Sequence, residues 1–364
     1  MIPRMIPRSG NRFSDKIMRR QRRRALLPAT LLVLCLAGVG HAQTPPSSPG
    51  ARQPATPPAR QAPRAQPQQQ QPQAQQPAPG GPEPDLAFGA FQRGYYLSAF
   101  SFATKRIEQA GDPKAMTLLG ELYAGGLGVK RDDAKAVEWY RLAAERGDRE
   151  AMFALAMFRF GGRGGPRDRE EASKLLAAAA KLGHAAAAYD LGLLYMEGQQ
   201  FPRDFARAAE LFRAAAQAGS PEAQYALATL YKEGRGVAKD PREAARLLAA
   251  SALADNIDAE VEYAIALFNG DGVAKDETAS VALFRKAARK GSPIAQNRLA
   301  RILAAGRGTA ADPVEAAKWH LVAKAGGVGD PSLDDFVSKL KPEERAAAEA
   351  GAKPWTAPIQ QARR

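Results

Sequence analysis

Side chains able to do chemistry are sparse in this 364-residue sequence. Three histidines, His41, His184 and His320, stand far apart and away from any cysteine of the body, so they do not read as a metal-ligand set. The single cysteine, Cys35, provides neither a disulfide framework nor a thiolate cluster. Glycine pairs such as Gly234 and Gly236 suggest a phosphate cradle, but they follow a helical stretch instead of a strand and lack G-K-[ST]. No serine sits in a nucleophile elbow. No catalytic group and no cofactor is expected. What does recur is carboxylate: Glu150, Asp190, Glu222, Asp258 and Glu262. A row of like charge favours and steers a partner of opposite sign. Phe153, Tyr189 and Tyr225 run beside it as a candidate apolar groove, although such positions usually pack against a neighbouring repeat.

The elements that must position these groups follow from a fixed period. Gly147 recurs as Gly183, Gly219, Asp255, Gly291 and Gly327, always 36 residues on, and Gly111 precedes it. Residues 112–327 are therefore six copies without insertion, which marks a solenoid. In the first copy Ala115, Leu119, Leu122 and Tyr123 share one face at helical spacing. This helix A keeps a small residue at Gly120, Ala156, Gly192, Ala228, Ala264 and Ala300, where another helix can approach closely. It stops at a glycine in every copy: Gly126, Gly162, Gly198, Gly234, Gly270 and Gly306. Helix B starts at an aspartate in every copy: Asp132, Asp168, Asp204, Asp240, Asp276 and Asp312. A carboxylate there accepts from free N–H groups of the first turn and complements the helix dipole.

The shared pattern, A-x-x-x-L-[GA]-x-x-Y-x-x-G-x-G-V-x-x-D-x-x-K-A-x-x-W-Y-x-x-A-A-x-x-G, resembles the Sel1-like repeat, a relative of the tetratricopeptide repeat. Residues 112–147 and 220–255 carry it best, with LGELYAGGLGV and LATLYKEGRGV. The resemblance implies an all-α, right-handed solenoid of antiparallel helix pairs, with helix A lining the concave side. It also implies adaptor or scaffold roles and no reaction. Several places depart from the pattern: Arg159 replaces the tyrosine, Gln200 replaces the second loop glycine, and His320 stands at an otherwise aromatic or leucine position.

A solenoid needs closed ends. Residues 85–111 read as N-terminal capping helices, with Phe91, Tyr95, Tyr96, Phe100 and Phe102 expected to pack inward. Residues 328–357 read as two C-terminal capping helices, the first capped by Ser332 and the second starting at Pro342, followed by a disordered tail over 358–364.

The net charge of +14 is unevenly placed. Residues 1–42 carry +8, residues 43–84 carry +2 and the remaining 280 only +4. A near-balanced body argues against a nucleic-acid partner. The leader accounts for most of the excess. RRQRRR at 19–24 precedes a 15-residue apolar run, and Gly40-His41-Ala42 places small residues at −3 and −1, as in a Sec-type signal peptide. Spanning a bilayer needs ~20 apolar residues, so the run is short for an anchor. Met18 is an alternative start that gives a leader of ordinary length. Residues 43–84 are a Pro/Gln-rich tract with little to bury and read as a disordered linker.

Together these features point to a periplasmic or secreted scaffold that binds a protein partner of unknown identity on its concave face, with no small-molecule substrate evident. A cell-wall-acting or carbohydrate-binding factor is the alternative, and a cytosolic regulator another if the leader is misread. Export predicts cleavage after Ala42. Amino-terminal sequencing of the chain from its native host checks this; a chain still beginning at Met1 or Met18 contradicts it.

Overall fold

A computed structural model describes residues 85–361. The leader, the Pro/Gln tract and residues 362–364 lie outside the described residues. Sixteen helices and no strand occur among those described.

The first short unit, ending at Phe102, holds α1 (Leu86–Gln92) and the first half of α2 (Tyr96–Ala110). Asp85 caps α1 by accepting from the Phe88 N–H at 3.0 Å. Phe91 meets Tyr96 edge-on at 5.8 Å. The expectation that all five aromatics pack inward is corrected here, because Tyr95 is 63% exposed and Phe102 is also exposed.

The second unit carries six helix pairs: α3 (Pro113–Gly125) with α4 (Asp133–Glu145), α5 (Arg149–Gly161) with α6 (Arg169–Lys181), and α7 (Ala185–Glu197) with α8 (Phe205–Gln217). The series continues with α9 (Pro221–Glu233) and α10 (Pro241–Leu253), α11 (Ile257–Asn269) and α12 (Glu277–Arg289), then α13 (Pro293–Ala305) and α14 (Pro313–Ala325). All twelve are 13 residues long, so the period is met by identical elements. Each helix packs on its partner in the pair and on the next helix in sequence, as expected of stacked antiparallel pairs.

The local chemistry explains each boundary. All six helix-B aspartates adopt extended backbone and accept from first-turn N–H groups; Asp132, for example, takes those of Ala134 and Lys135 at 3.1 and 3.0 Å. All six helix-A stop glycines are left-handed. In the first and third copies, where it is glycine, the small position is a seat for an aromatic ring. A Cβ on Gly120 would lie 2.5 Å from Tyr140 Cε1, and one on Gly192 2.6 Å from Phe212 Cε1. Tyr140 and Phe212 are almost fully buried in that space.

The second loop glycine joins one repeat to the one before. A Cβ on Gly164, Gly236, Gly272 or Gly308 would overlap the backbone at the start of the preceding helix B, at Asp133, Phe205, Pro241 and Glu277 respectively. Their φ values, between 66° and 72°, add a second reason for glycine. Charged side chains brace the same joints. Arg163 donates to Asp133 at 2.7 Å and lies 4.0 Å above the Phe158 ring, and Arg307 donates to Glu277 at 2.5 Å. The hydrogen bond from Arg163 holds the Asp133 carboxyl down at about 2.

The departures are compensated locally. Arg159 forms an ion pair with Glu171 at 2.6 Å. In the third copy, where Gln200 replaces the glycine, Phe201 stacks on Tyr195 at 4.8 Å. Asp255 takes the left-handed conformation of the glycine it replaces, with φ 63°, and accepts from Lys286 and Lys290. Both lysines also hold Glu260, which is wholly buried.

Two helices close the chain: α15 (Pro331–Ser338) and α16 (Pro342–Gln361). Asp330, not Ser332, caps α15, because Pro331 occupies the first helical position and the capping residue must precede it. Helix α16 begins at Pro342 as expected but continues through Gln361, so residues 358–361 are not a tail. It docks on α14, burying Ala348 and Ala352 and setting Trp355 5.1 Å from Trp319. This docking, and not helix propensity, supports the turn that contains Pro354.

Gly291 and Gly272 separate the two demands on a joint glycine. Gly291 has φ 89° and open space around its missing Cβ, whereas Gly272 meets the Pro241 backbone. Gly291→Ala is expected to cost about 1–2 kcal/mol from conformation alone. Gly272→Ala adds an overlap worth a further ~1–3 kcal/mol. Urea unfolding of both variants checks the order; equal losses contradict the backbone contact.

Candidate functional site

Helix A of each repeat starts on a capping residue, and this positions the acidic row. Asp112, Asp148, His184, Ser220, Asn256 and Ser292 each accept from a first-turn N–H. The sequence reading found the helix-B caps and missed these, although the same 36-residue spacing exposes them. Their identities vary among four residue types, and one is histidine, an unusual cap.

Two residues after the cap come Glu150, Glu222 and Asp258, each the second residue of its helix. Carboxylates there complement the positive end of the helix dipole, so they stabilise the array as well as facing outward. Asp258 and Glu150 are exposed and Glu222 is half-buried, accepting from the Ser220 hydroxyl at 3.1 Å. Glu262, one turn further on, is half-buried and takes the Lys232 ammonium at 2.6 Å.

Asp190 does not belong to the exposed row. It is 5% exposed, and it has interaction partners. It lies three residues after Ala187 and four before Leu194, both buried, so the helical period turns it to the edge of the apolar face. The outward wedge is therefore narrower than the sequence suggested.

The aromatics divide in the same way. Phe153 is half-buried and stacks on the His184 ring at 4.4 Å. His184 Nδ1 accepts from the Ala187 N–H at 3.0 Å, which leaves Nε2 to donate to Glu150 at 3.0 Å. A neutral imidazole of that tautomer satisfies both bonds. Tyr189 is half-buried against the cluster of Ala188, Ala215 and Ala223, with its ring 5.6 Å from Phe212. Both thus serve the packing between repeats. Tyr225 is different in its electrostatics. Burial first, then the nearby carboxylates of Asp258, Glu262 and Glu233, push its hydroxyl up to about 12. It remains a neutral donor beside an acidic surface.

At the start of the array Glu121 sits near Glu150 and Asp148. Its carboxyl is raised above the usual range, first by desolvation and then by those two charges. Among the described residues no group of three or more His, Cys, Asp and Glu could hold a metal ion. No helix among them is long and apolar enough to cross a membrane.

Comparison with known proteins agrees with this architecture. The Sel1 repeat family model matches six consecutive segments, 113–148, 149–184, 185–220, 221–256, 257–292 and 293–328, one residue offset from the period read above. The chain is similar to a Sel1 repeat protein from Oxalobacter formigenes, with 27% identity, a TM-score of 0.56, and coverage of 66% of this chain and 97% of that one. It is also similar to a protective antigen of uropathogenic Escherichia coli displaying an SLR fold, with 26% identity, a TM-score of 0.52, and coverage of 73% and 67%. No curated protein matches the chain.

His184 offers a test of the helix-A caps. His184→Asn restores the cap that Asn256 uses in the fifth copy, whereas His184→Ala removes it along with the Glu150 bond. The alanine variant is expected to be the less stable of the two by roughly 0.5–2 kcal/mol. Thermal unfolding measures the difference; equal stability contradicts the capping role.

Proposed function

Because the chain belongs to the Sel1 repeat family, whose repeats generally mediate protein–protein interaction, we propose that it is a non-catalytic scaffold that binds a protein partner. The binding face is formed by the first helices of repeats two to five. The partner presents a basic or mixed basic and apolar segment.

The observation that carries this reading is the carboxylate cluster around a half-buried tyrosine. Tyr225 lies within the field of Asp258, Glu262 and Glu233, on the side where Glu222 and Asp258 open their helices. Lys232 neutralises Glu262. Asp258 keeps its charge exposed with no ion-pair partner among the described residues. A neutral phenol among carboxylates suits a lysine or arginine whose aliphatic stem rests on the ring while its head meets the acids. The leader supports placing this activity in the cell envelope, with the Pro/Gln tract as a spacer between the export signal and the array.

Reversing Glu222 and Asp258 to lysine is expected to lower the association rate for the partner and to flatten its dependence on salt. Stability should fall by no more than about 1–2 kcal/mol, since each first-turn carboxylate contributes only ~0.3–1 kcal/mol through the helix dipole. Cross-linking from the native envelope supplies the partner, and stopped-flow mixing across salt concentrations reads the rate. An unchanged rate and salt slope mean that the acidic row is only solvated surface.

A further inference from the structure

The sixth repeat reverses the character of the helix-A face. At the place held by Glu150, Glu222 and Asp258 in other copies stands Ile294, 54% exposed. At the place held by Asp190 and Glu262 stands Arg298, also exposed. The two are four residues apart on α13 and so share one stripe of its surface.

Next to that stripe lies a cavity of about 360 Å³ between α11, α12 and α13. Ile265, Phe268, Phe284 and Ile302 line it, and Arg298, Arg301 and Arg307 stand around it. Two of the three arginines are committed. Arg301 donates to Asp330 at 2.5 Å. Arg307 donates to Glu277 at 2.5 Å and lies 4.2 Å above the Phe268 ring. These contacts fix their guanidinium groups and offset their charge. Arg298 has no ion-pair partner among the described residues; Glu262, the acid at the same place one repeat earlier, is taken by Lys232. The cavity therefore combines an apolar lining with one uncommitted guanidinium. Its volume suits one large side chain with its backbone.

We propose that this cavity is a second docking site, which takes an acidic segment of a protein by seating one aromatic or branched apolar side chain while a neighbouring carboxylate meets Arg298. Charge complementarity selects this occupant. The guanidinium fork binds a carboxylate bidentately, and the apolar lining rejects a purely hydrophilic acidic run. The site takes a ligand of opposite sign to that of the acidic row in repeats two to five, and it does not depend on that row.

The probe is a fluorescein-labelled peptide with one phenylalanine flanked by aspartate and glutamate in a glycine and serine background. Anisotropy is recorded with the full chain. Saturable binding is expected, weakened at least tenfold by Arg298→Glu, by replacing the peptide acids with their amides, and by replacing its phenylalanine with alanine. Arg298 is exposed, so the variant should melt as the parent does; Arg298→Lys, which keeps the charge and loses the fork, should bind between the two. The Glu222 and Asp258 reversals should leave the peptide's affinity within twofold, separating this site from the acidic row. No saturable binding, or equal binding by Arg298→Glu or by the amide peptide, overturns the proposal.

Discussion

Four of the five joints in this array depend on a place where no Cβ fits. The second loop glycine of one repeat lies against the carbonyl group of the first residue of the previous helix B, and backbone meets backbone there. Side-chain packing tolerates substitution by small shifts, but a backbone contact fixes the distance between repeats directly. The equal 13-residue helices keep this contact in register from copy to copy. With four joints set at one spacing, a longer or shorter helix would carry its caps out of register with the loop that must receive them.

This geometry was legible in the sequence to an unusual extent, and the reason is repetition. Six copies of a cap, a stop glycine and a small residue show which identities the backbone requires. The period, the helix pairs, the helix-B aspartates and the close approach at Gly120 were all readable in this way, although that the approaching group is an aromatic ring was not. The helix-A caps were hidden because Asp, His, Ser and Asn all perform the task, so the place looks variable although the chemistry is constant. The end helices were read less well. They occur once, and the proper cap of α15, Asp330, was passed over for a serine that the helix already contains.

The candidate surface was less legible than the fold, for a related reason. A helical wheel places a residue relative to its own helix, while burial in a solenoid is decided by three neighbours at once. Asp190 and Glu262 occupy equivalent places, yet one is almost wholly covered and the other half-open. The difference lies in what adjoining helices bring to each place. For Phe153 and Tyr189 spacing left both a groove and packing against a neighbour open, and their ring contacts with His184 and Phe212 favour packing.

The joint between the second and third repeats lacks the glycine contact, since Gln200 stands in its place. Across that joint lie the Phe153 and His184 stack and the bond from His184 to Glu150. A stacked array behaves as a one-dimensional chain of units coupled to nearest neighbours. Four couplings rest on main-chain geometry, which varies little with solution conditions. The remaining one rests on side-chain packing, with Leu176 and Ala179 of α6 in one buried cluster with Ala187 and Leu191 of α7. In such a chain the coupling that lacks a main-chain contact is the expected boundary for sub-global opening, and here it lies between α6 and α7.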